Sequence, residues 1–220
     1  PPSGSAAGAL GARPLVEEME WVRPDTSLAG LLQLYSARRD KIDALIANRN
    51  TAIAYEQITL PNGLVPVRSP LSQIGGMLAA QISARLLQNN AGGKGILIGG
   101  VPGVPSAEVV IIGAGIVGTY AARAFAGMRA HITVLDINMD ALQRIHDTIP
   151  GIVTMVANPV NIAKACAYAD VVVGAILVPG SHPPIIISRE LVRAMKPRSI
   201  LMDISIDEGG CIETSRPTTH

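Results

Sequence analysis

Aromatic side chains are scarce: the 220 residues hold one Trp, one Phe and four Tyr. So few rings cannot build a stacking platform for bases, and with 16 % charged residues and a net charge of +1 no basic face is available for a phosphate backbone. Nucleic acid is therefore excluded as a partner. The two cysteines, Cys166 and Cys211, lie far apart without a CxxC or His companion, which excludes a disulfide framework and a Cys/His metal site. Each reads as a small buried hydrophobe in a reducing compartment. No apolar run approaches the length of about 18 residues that spans a bilayer, and the opening lacks the basic-then-apolar layout of a secretory signal. The expectation is a cytoplasmic chain with no membrane partner and no metal.

What the sequence does contain is a glycine-rich turn. Ala107 to Gly118 reads AEVVIIGAGIVG, an apolar run that ends in Gly113, Gly115 and Gly118. Such a run predicts a buried parallel strand, and glycines at this spacing predict a tight turn into a helix whose free N–H groups receive a pyrophosphate. A second strand, HITVLD, ends at Asp136, eighteen positions after Gly118 and close to the spacing of about 20 expected for a ribose-binding acid. Asp136 would accept from the ribose hydroxyls and repel a 2′-phosphate. Since Ile137 and Asn138 follow it rather than Arg or Lys, NAD is favoured over NADP. The competing role for Asp136 is to cap a helix that starts near Asn138.

Further strands are predicted at Ile152–Val156, Asp170–Ile176 and Ser199–Ile204, with helices at Val160–Tyr168 and from Ser188 to Met195. This alternation implies an α/β Rossmann doubly wound parallel sheet, incomplete at the C-terminus because no apolar run follows Gly209, with ligands at the carboxyl ends of the strands. Upstream, Ser27–Tyr35 and Thr51–Tyr55 predict strands, Asp40–Ala47 a helix and Pro61–Gly63 a turn, together part of a second α/β domain. Ser72–Asn89 predicts one long helix capped by Ser72, with Ile74, Met77, Leu78, Ile82, Leu86 and Leu87 on its apolar face; it is a connector, an oligomer face or simply part of the core. The Gly/Pro cluster from Gly92 to Pro105 marks a boundary. The organisation expected is thus 1–14 disordered or foreign to the fold, 15–71 a partial substrate domain, 72–91 a connecting helix and 92–220 the NAD-binding domain.

Two loops at strand ends carry the candidate chemistry. LVPGSHPP, after the fourth Rossmann strand, offers Pro179 and Gly180 as a rigid bend whose backbone groups could hold a nicotinamide ring, with Val178 and Pro179 the cofactor-binding candidates; the competing reading is an ordinary strand-to-helix turn. His182, between Ser181 and two prolines, is expected to be exposed and not catalytic. After the fifth strand come Asp203, Asp207 and Glu208. Asp203 falls inside the strand pattern and is expected to bond locally, whereas Asp207 can steady a cationic amine or relay a proton.

Taken together, GGKGILIGGVPGVPSAEVVIIGAGIVG, VLDINMDAL, ADVVVGAILVPG and MKPRSILMDISIDEGGCIETSRPTTH closely resemble the NAD-dependent alanine dehydrogenases, and the resemblance runs from about Val22 to His220. It implies reversible oxidative deamination of L-alanine to pyruvate and ammonia by a homo-oligomer. It also puts the catalytic aspartate at Asp207 and the cofactor motif at Gly113, Gly115, Gly118 and Asp136. The family's catalytic histidine falls at Gln33, and its carboxylate-holding lysine falls near Ala12. A Gln amide can donate to a substrate carbonyl but cannot take up a proton near neutral pH. The family's first strand and helix, its sixth Rossmann strand and its terminal helices have no counterpart, so the chain reads as truncated at both ends and its turnover is expected to be weak. Two other readings stay open: an NAD-binding remnant or regulator without chemistry, and a transhydrogenase-like nucleotide-binding module.

Overall fold

The computed structural model describes residues 8–11, 16–34, 39–178 and 181–218, and divides into one unit ending at Leu71 and another beginning at Ser72. The first unit holds three parallel strands in the order β1 (Gly8–Gly11), β2 (Ser27–Gly30) and β3 (Thr51–Ala54), with helix α1 (Arg39–Ala47) between the last two. Leu28, Leu32 and Leu45 gather with Met19 into its small core. The strand β1 corrects the expectation that residues 1–14 lie outside the fold: Gly8 to Gly11 pair in register with Ser27 to Gly30. A sheet ladder is made by backbone groups, so a Gly/Ala segment without apolar periodicity can still join it.

Helix α2 (Arg68–Leu86) begins four residues before Ser72, so Ser72 is not its cap. Pro70 is tolerated there because the N–H groups of a first turn have no intrahelical acceptor. The side-chain pattern of α2 also departs from expectation. Ile74, Met77 and Leu78 are exposed, at 54 %, 49 % and 42 %, while Ala79, Ala80 and Ser83 are buried. The reason is a close helix approach: a methyl group on Gly76 would strike the carbonyl oxygen of Val117, so only small residues can face inward. The Gly/Pro cluster from Gly92 to Pro105 falls inside the second unit.

The second unit continues with β4 (Glu108–Ile112), α3 (Ile116–Gly127), β5 (His131–Asp136), α4 (Met139–Thr148), β6 (Val153–Val156), α5 (Pro159–Tyr168), β7 (Val171–Gly174), α6 (Arg189–Ala194) and β8 (Ile200–Asp203). Its five strands are all parallel, in the order β6-β5-β4-β7-β8. Along β4, Val109 and Ile111 pack on one face with Ala121, Ala122 and Phe125 of α3, and Val110 and Ile112 pack on the other with Ile162, Ala165 and Cys166 of α5. This is the two-residue alternation of a strand buried on both sides.

At the amino ends of the strands, the Asp170 carboxylate is 7 % exposed and gathers three donors: Lys94 Nζ at 2.8 Å, Lys196 Nζ at 3.2 Å and the Glu108 N–H at 3.0 Å. Burial pushes its pKa up, but the two lysines and the Glu108 N–H outweigh that and hold it below the usual carboxylate value. Since the unfolded chain takes up this proton first, the stabilisation is present above about pH 4 and is lost as pH falls through the lower folded value. Asp170→Asn is expected to cost about 2 kcal/mol at neutral pH and to flatten the acid limb of stability. Thermal unfolding of both forms between pH 3 and 7 checks this; parallel acid limbs would count against it.

Candidate functional site

The three glycines of the β4–α3 turn meet three different surroundings. Gly113 has φ +112°, and a methyl group there would strike the Ala175 carbonyl. One on Gly118 would strike the carbonyl oxygen of Gly113, so helix and strand touch backbone to backbone at this point. A methyl on Gly115, by contrast, would meet no protein atom within 4 Å. That cradle lies at the start of α3, where Gly115 is the N-cap residue and no side chain caps the first N–H groups. Unpaired N–H groups with open space before them fit a pyrophosphate.

Asp136, at the end of β5, closes the other side of the turn. Its Oδ2 accepts from the Ala114 N–H at 2.5 Å and its Oδ1 from the Asn138 N–H at 2.8 Å. The cap of α4 is Asn138, whose side chain accepts from the Ala141 N–H at 3.1 Å. Asp136 therefore ties the glycine turn to the end of β5 and is only half-buried.

The loops after β7 and β8 are joined to each other. The Ser205 hydroxyl donates to the Ile176 carbonyl at 2.7 Å, and His182 Nδ1 lies 2.6 Å from the Glu208 carbonyl. The Ile186 N–H donates to the Cys211 carbonyl at 2.9 Å, and Ile187 and Ile212 form a parallel bridge. His182 is exposed, as expected, yet it fastens one loop to the other, a connection that sequence spacing does not encode. Val178 is half-buried and pairs with Ser181, whereas Pro179 and Gly180, the expected nicotinamide bend, lie outside the described residues. Asp207 is exposed on the single turn Ile206–Glu208. Cys166 and Cys211 are buried and free. Burial lifts the Cys166 thiol to about 11, and burial together with the Asp203 charge lifts Cys211 to about 12, so both are inert at neutral pH.

Gln33 belongs to the first unit, just beyond β2, and so stands apart in the chain from the glycine turn and Asp207. Its backbone is left-handed, with φ +47°, an uncommon conformation for a residue other than glycine. Glu56, 6 % exposed, accepts from the Gln33 N–H at 2.6 Å and from the Leu32 N–H at 3.1 Å, while the equally buried Lys41 donates to the Leu32 carbonyl at 3.0 Å. Sequence reasoning missed both charged residues; the available signal was an acid in the short segment after β3 and a lysine in the first turn of α1. Among the described residues, no group of three or more His, Cys, Asp or Glu is placed to hold a metal ion, and no helix is long and apolar enough to cross a membrane.

Comparison with known proteins places this geometry in context. The family described as "Alanine dehydrogenase/PNT, C-terminal domain" matches residues 79–220. An alanine dehydrogenase of Mycolicibacterium smegmatis is 44 % identical over 208 residues, which cover 94 % of this chain and 56 % of that relative. The chain thus spans little more than half the length of that relative. A solved L-alanine dehydrogenase superposes with a TM-score of 0.86 at 38 % identity, covering 98 % of this chain and 60 % of the other. A transhydrogenase from Sinorhizobium meliloti superposes with a TM-score of 0.78 at 23 % identity, covering 96 % of this chain and 62 % of the other, a likeness of fold.

Proposed function

The chain belongs to the alanine dehydrogenase/PNT family, and on that premise we propose that it is an NAD-binding oxidoreductase of alanine dehydrogenase type, acting on L-alanine and pyruvate. The observation that carries the nucleotide part is the cradle at Gly115, bounded by the α3 N-terminus and by the Asp136 carboxylate. In this reading the α3 N–H groups hold the pyrophosphate and Asp136 accepts from the ribose hydroxyls, while its charge disfavours a 2′-phosphate. Val178 and Pro179 hold the nicotinamide ring. NAD, when bound, supplies the hydride acceptor. Asp207 stands at the carboxyl end of the sheet, where it steadies the positive charge on the substrate nitrogen. Gln33 donates to the substrate carbonyl and takes up no proton, so turnover is slow.

A homo-oligomer fits the exposed Ile74, Met77 and Leu78 of α2, and a reducing cytoplasmic setting fits two buried free thiols. The test is NADH fluorescence with the purified chain, followed after addition of pyruvate and ammonium. The expected trace is an enhancement that then decays slowly. Enhancement without decay would remove the dehydrogenase reading and leave a binding module, and no enhancement would remove the nucleotide site as well.

A further inference from the structure

The turn that carries Asp207 is closed at its base by one carboxylate. Asp203, the last residue of β8, accepts from the Ser205 N–H at 3.1 Å through Oδ1. Through Oδ2 it accepts from the Cys211 N–H at 2.9 Å, the Ile212 N–H at 3.0 Å and the Ser215 hydroxyl at 2.6 Å. The Cys211 thiol lies 3.5 Å from Oδ1. One side chain thus collects a donor from the residue before the turn and donors from three residues after it.

On its outer side the turn is held to the loop after β7, where His182 Nδ1 lies 2.6 Å from the Glu208 carbonyl and the Ser205 hydroxyl donates to the Ile176 carbonyl. Its backbone N–H groups bond locally, those of Glu208 and Gly210 to the Ser205 carbonyl and that of Gly209 to the Ile206 carbonyl. Gly209 and Gly210 are left-handed, at φ +114° and +77°, and bring no side chain to the core. Both fit tightly: a methyl on Gly210 would stand 2.9 Å from Asp203 Oδ2, and one on Gly209 would stand 2.6 Å from His182 Nδ1. A carboxylate can accept all these donors at once because both of its oxygens are acceptors, whereas an Asn would turn an amide NH₂ toward backbone N–H groups.

We propose that Asp203 is a positioning residue, whose carboxylate fixes the turn so that Asp207 is presented in a single geometry. This rests on the reading of Asp207 given above. A reacting group displaced by about 1 Å loses roughly 10²-fold in rate, so an anchor that never touches substrate can control turnover.

The test separates the anchor from the chemistry. Amide-resolved hydrogen exchange on the full chain is read at Glu208 and Gly209, whose N–H groups bond within the turn and not to Asp203, and at Val110 and Ile111 in β4. Asp203→Asn is expected to speed exchange at Glu208 and Gly209 by about tenfold or more while β4 keeps its parent rate. Ser215→Ala removes one donor and keeps the carboxylate, so it gives a smaller acceleration at the same two amides and carries the comparison if Asp203→Asn fails to fold. Uniform acceleration across the unit, or none in the turn, overturns the proposal. NADH fluorescence and turnover are measured on the same samples. Where the parent turns over, Asp203→Asn lowers kcat by about 10²-fold with the KM for NADH little changed, and a parent-level kcat overturns the proposal. A parent that binds NADH without turnover removes the role of Asp207 and leaves the exchange comparison to decide the anchor.

Discussion

Gly115→Ala is expected to fold like the parent and to bind NADH much more weakly, whereas Gly118→Ala is expected to lose much of its folding stability. The two positions lie three residues apart, Gly115 at the N-cap and Gly118 in the first turn of α3, and a methyl group would meet quite different surroundings at each. At Gly115 the backbone is extended, with φ −72° and ψ −162°, and no protein atom stands within 4 Å of the added carbon. Losing glycine at the N-cap costs at most about 1 kcal/mol. The methyl then occupies the space through which a pyrophosphate reaches the N–H groups of α3, and affinity for NADH falls about tenfold or more. At Gly118 the methyl strikes the Gly113 carbonyl oxygen and stands 3.4 Å from Ile111 Cγ2. Relief requires α3 to move away from β4, whose Val109, Val110, Ile111 and Ile112 are all buried to 1 % or less. Forcing that interface open costs about 3 kcal/mol or more. Thermal unfolding by circular dichroism with NADH fluorescence checks both variants. Normal NADH affinity in Gly115→Ala would show that the nucleotide phosphates do not lie on this turn.

The strands of the second unit were legible because strands buried on both faces are written as uninterrupted apolar runs. Ser199–Ile204 became Ile200–Asp203 and Asp170–Ile176 became Val171–Gly174, each trimmed at its polar or loop-forming ends. Ser188 caps α6 as its position suggests, accepting from the Leu191 N–H at 3.4 Å. Where the reading failed, the physics lay outside side-chain hydrophobicity. In α2 the large apolar residues look like the buried face, but close approach at Gly76 selects alanine and serine instead. At β1 only the backbone pairs, and a Gly/Ala segment carries no pattern to announce it. The turn from β4 into α3 and the place of Asp136 at the end of β5 were legible from spacing alone. Asp203 was legible only as a local bonding group, because three of its four N–H and O–H donors come from residues 211 to 215, and no motif spacing specifies that closure. Glu56 and Lys41 escaped for the same reason: each acts on a backbone segment more than one helical turn away in sequence.

That hidden pair sets up the second large effect, a gain in turnover of about 10²-fold or more in Gln33→His. The resemblance to alanine dehydrogenases puts a histidine at this position. The backbone there is held through its own main-chain groups: Glu56 accepts the N–H groups of Leu32 and Gln33, and Lys41 donates to the Leu32 carbonyl. The left-handed φ of +47° is one that histidine adopts more readily than most residues. A histidine placed here keeps those backbone bonds, and with an ordinary pKa of about 6.5 it takes up and returns a proton at neutral pH, which the amide of Gln33 cannot do. Initial rates of NADH oxidation with pyruvate and ammonium between pH 5.5 and 9 read the result, and the variant is expected to gain a pH limb that the parent lacks. Adding Glu56→Gln to Gln33→His should abolish the gain while leaving NADH fluorescence intact, because one of the two buried acceptor oxygens under the left-handed turn becomes an NH₂ that faces a backbone N–H. Failure of Gln33→His to raise the rate, with NADH still bound, would mean that the substitution at position 33 is not what limits this chain. The limit would then lie in holding the substrate carboxylate, for which the resemblance expects a lysine near Ala12 that the sequence lacks.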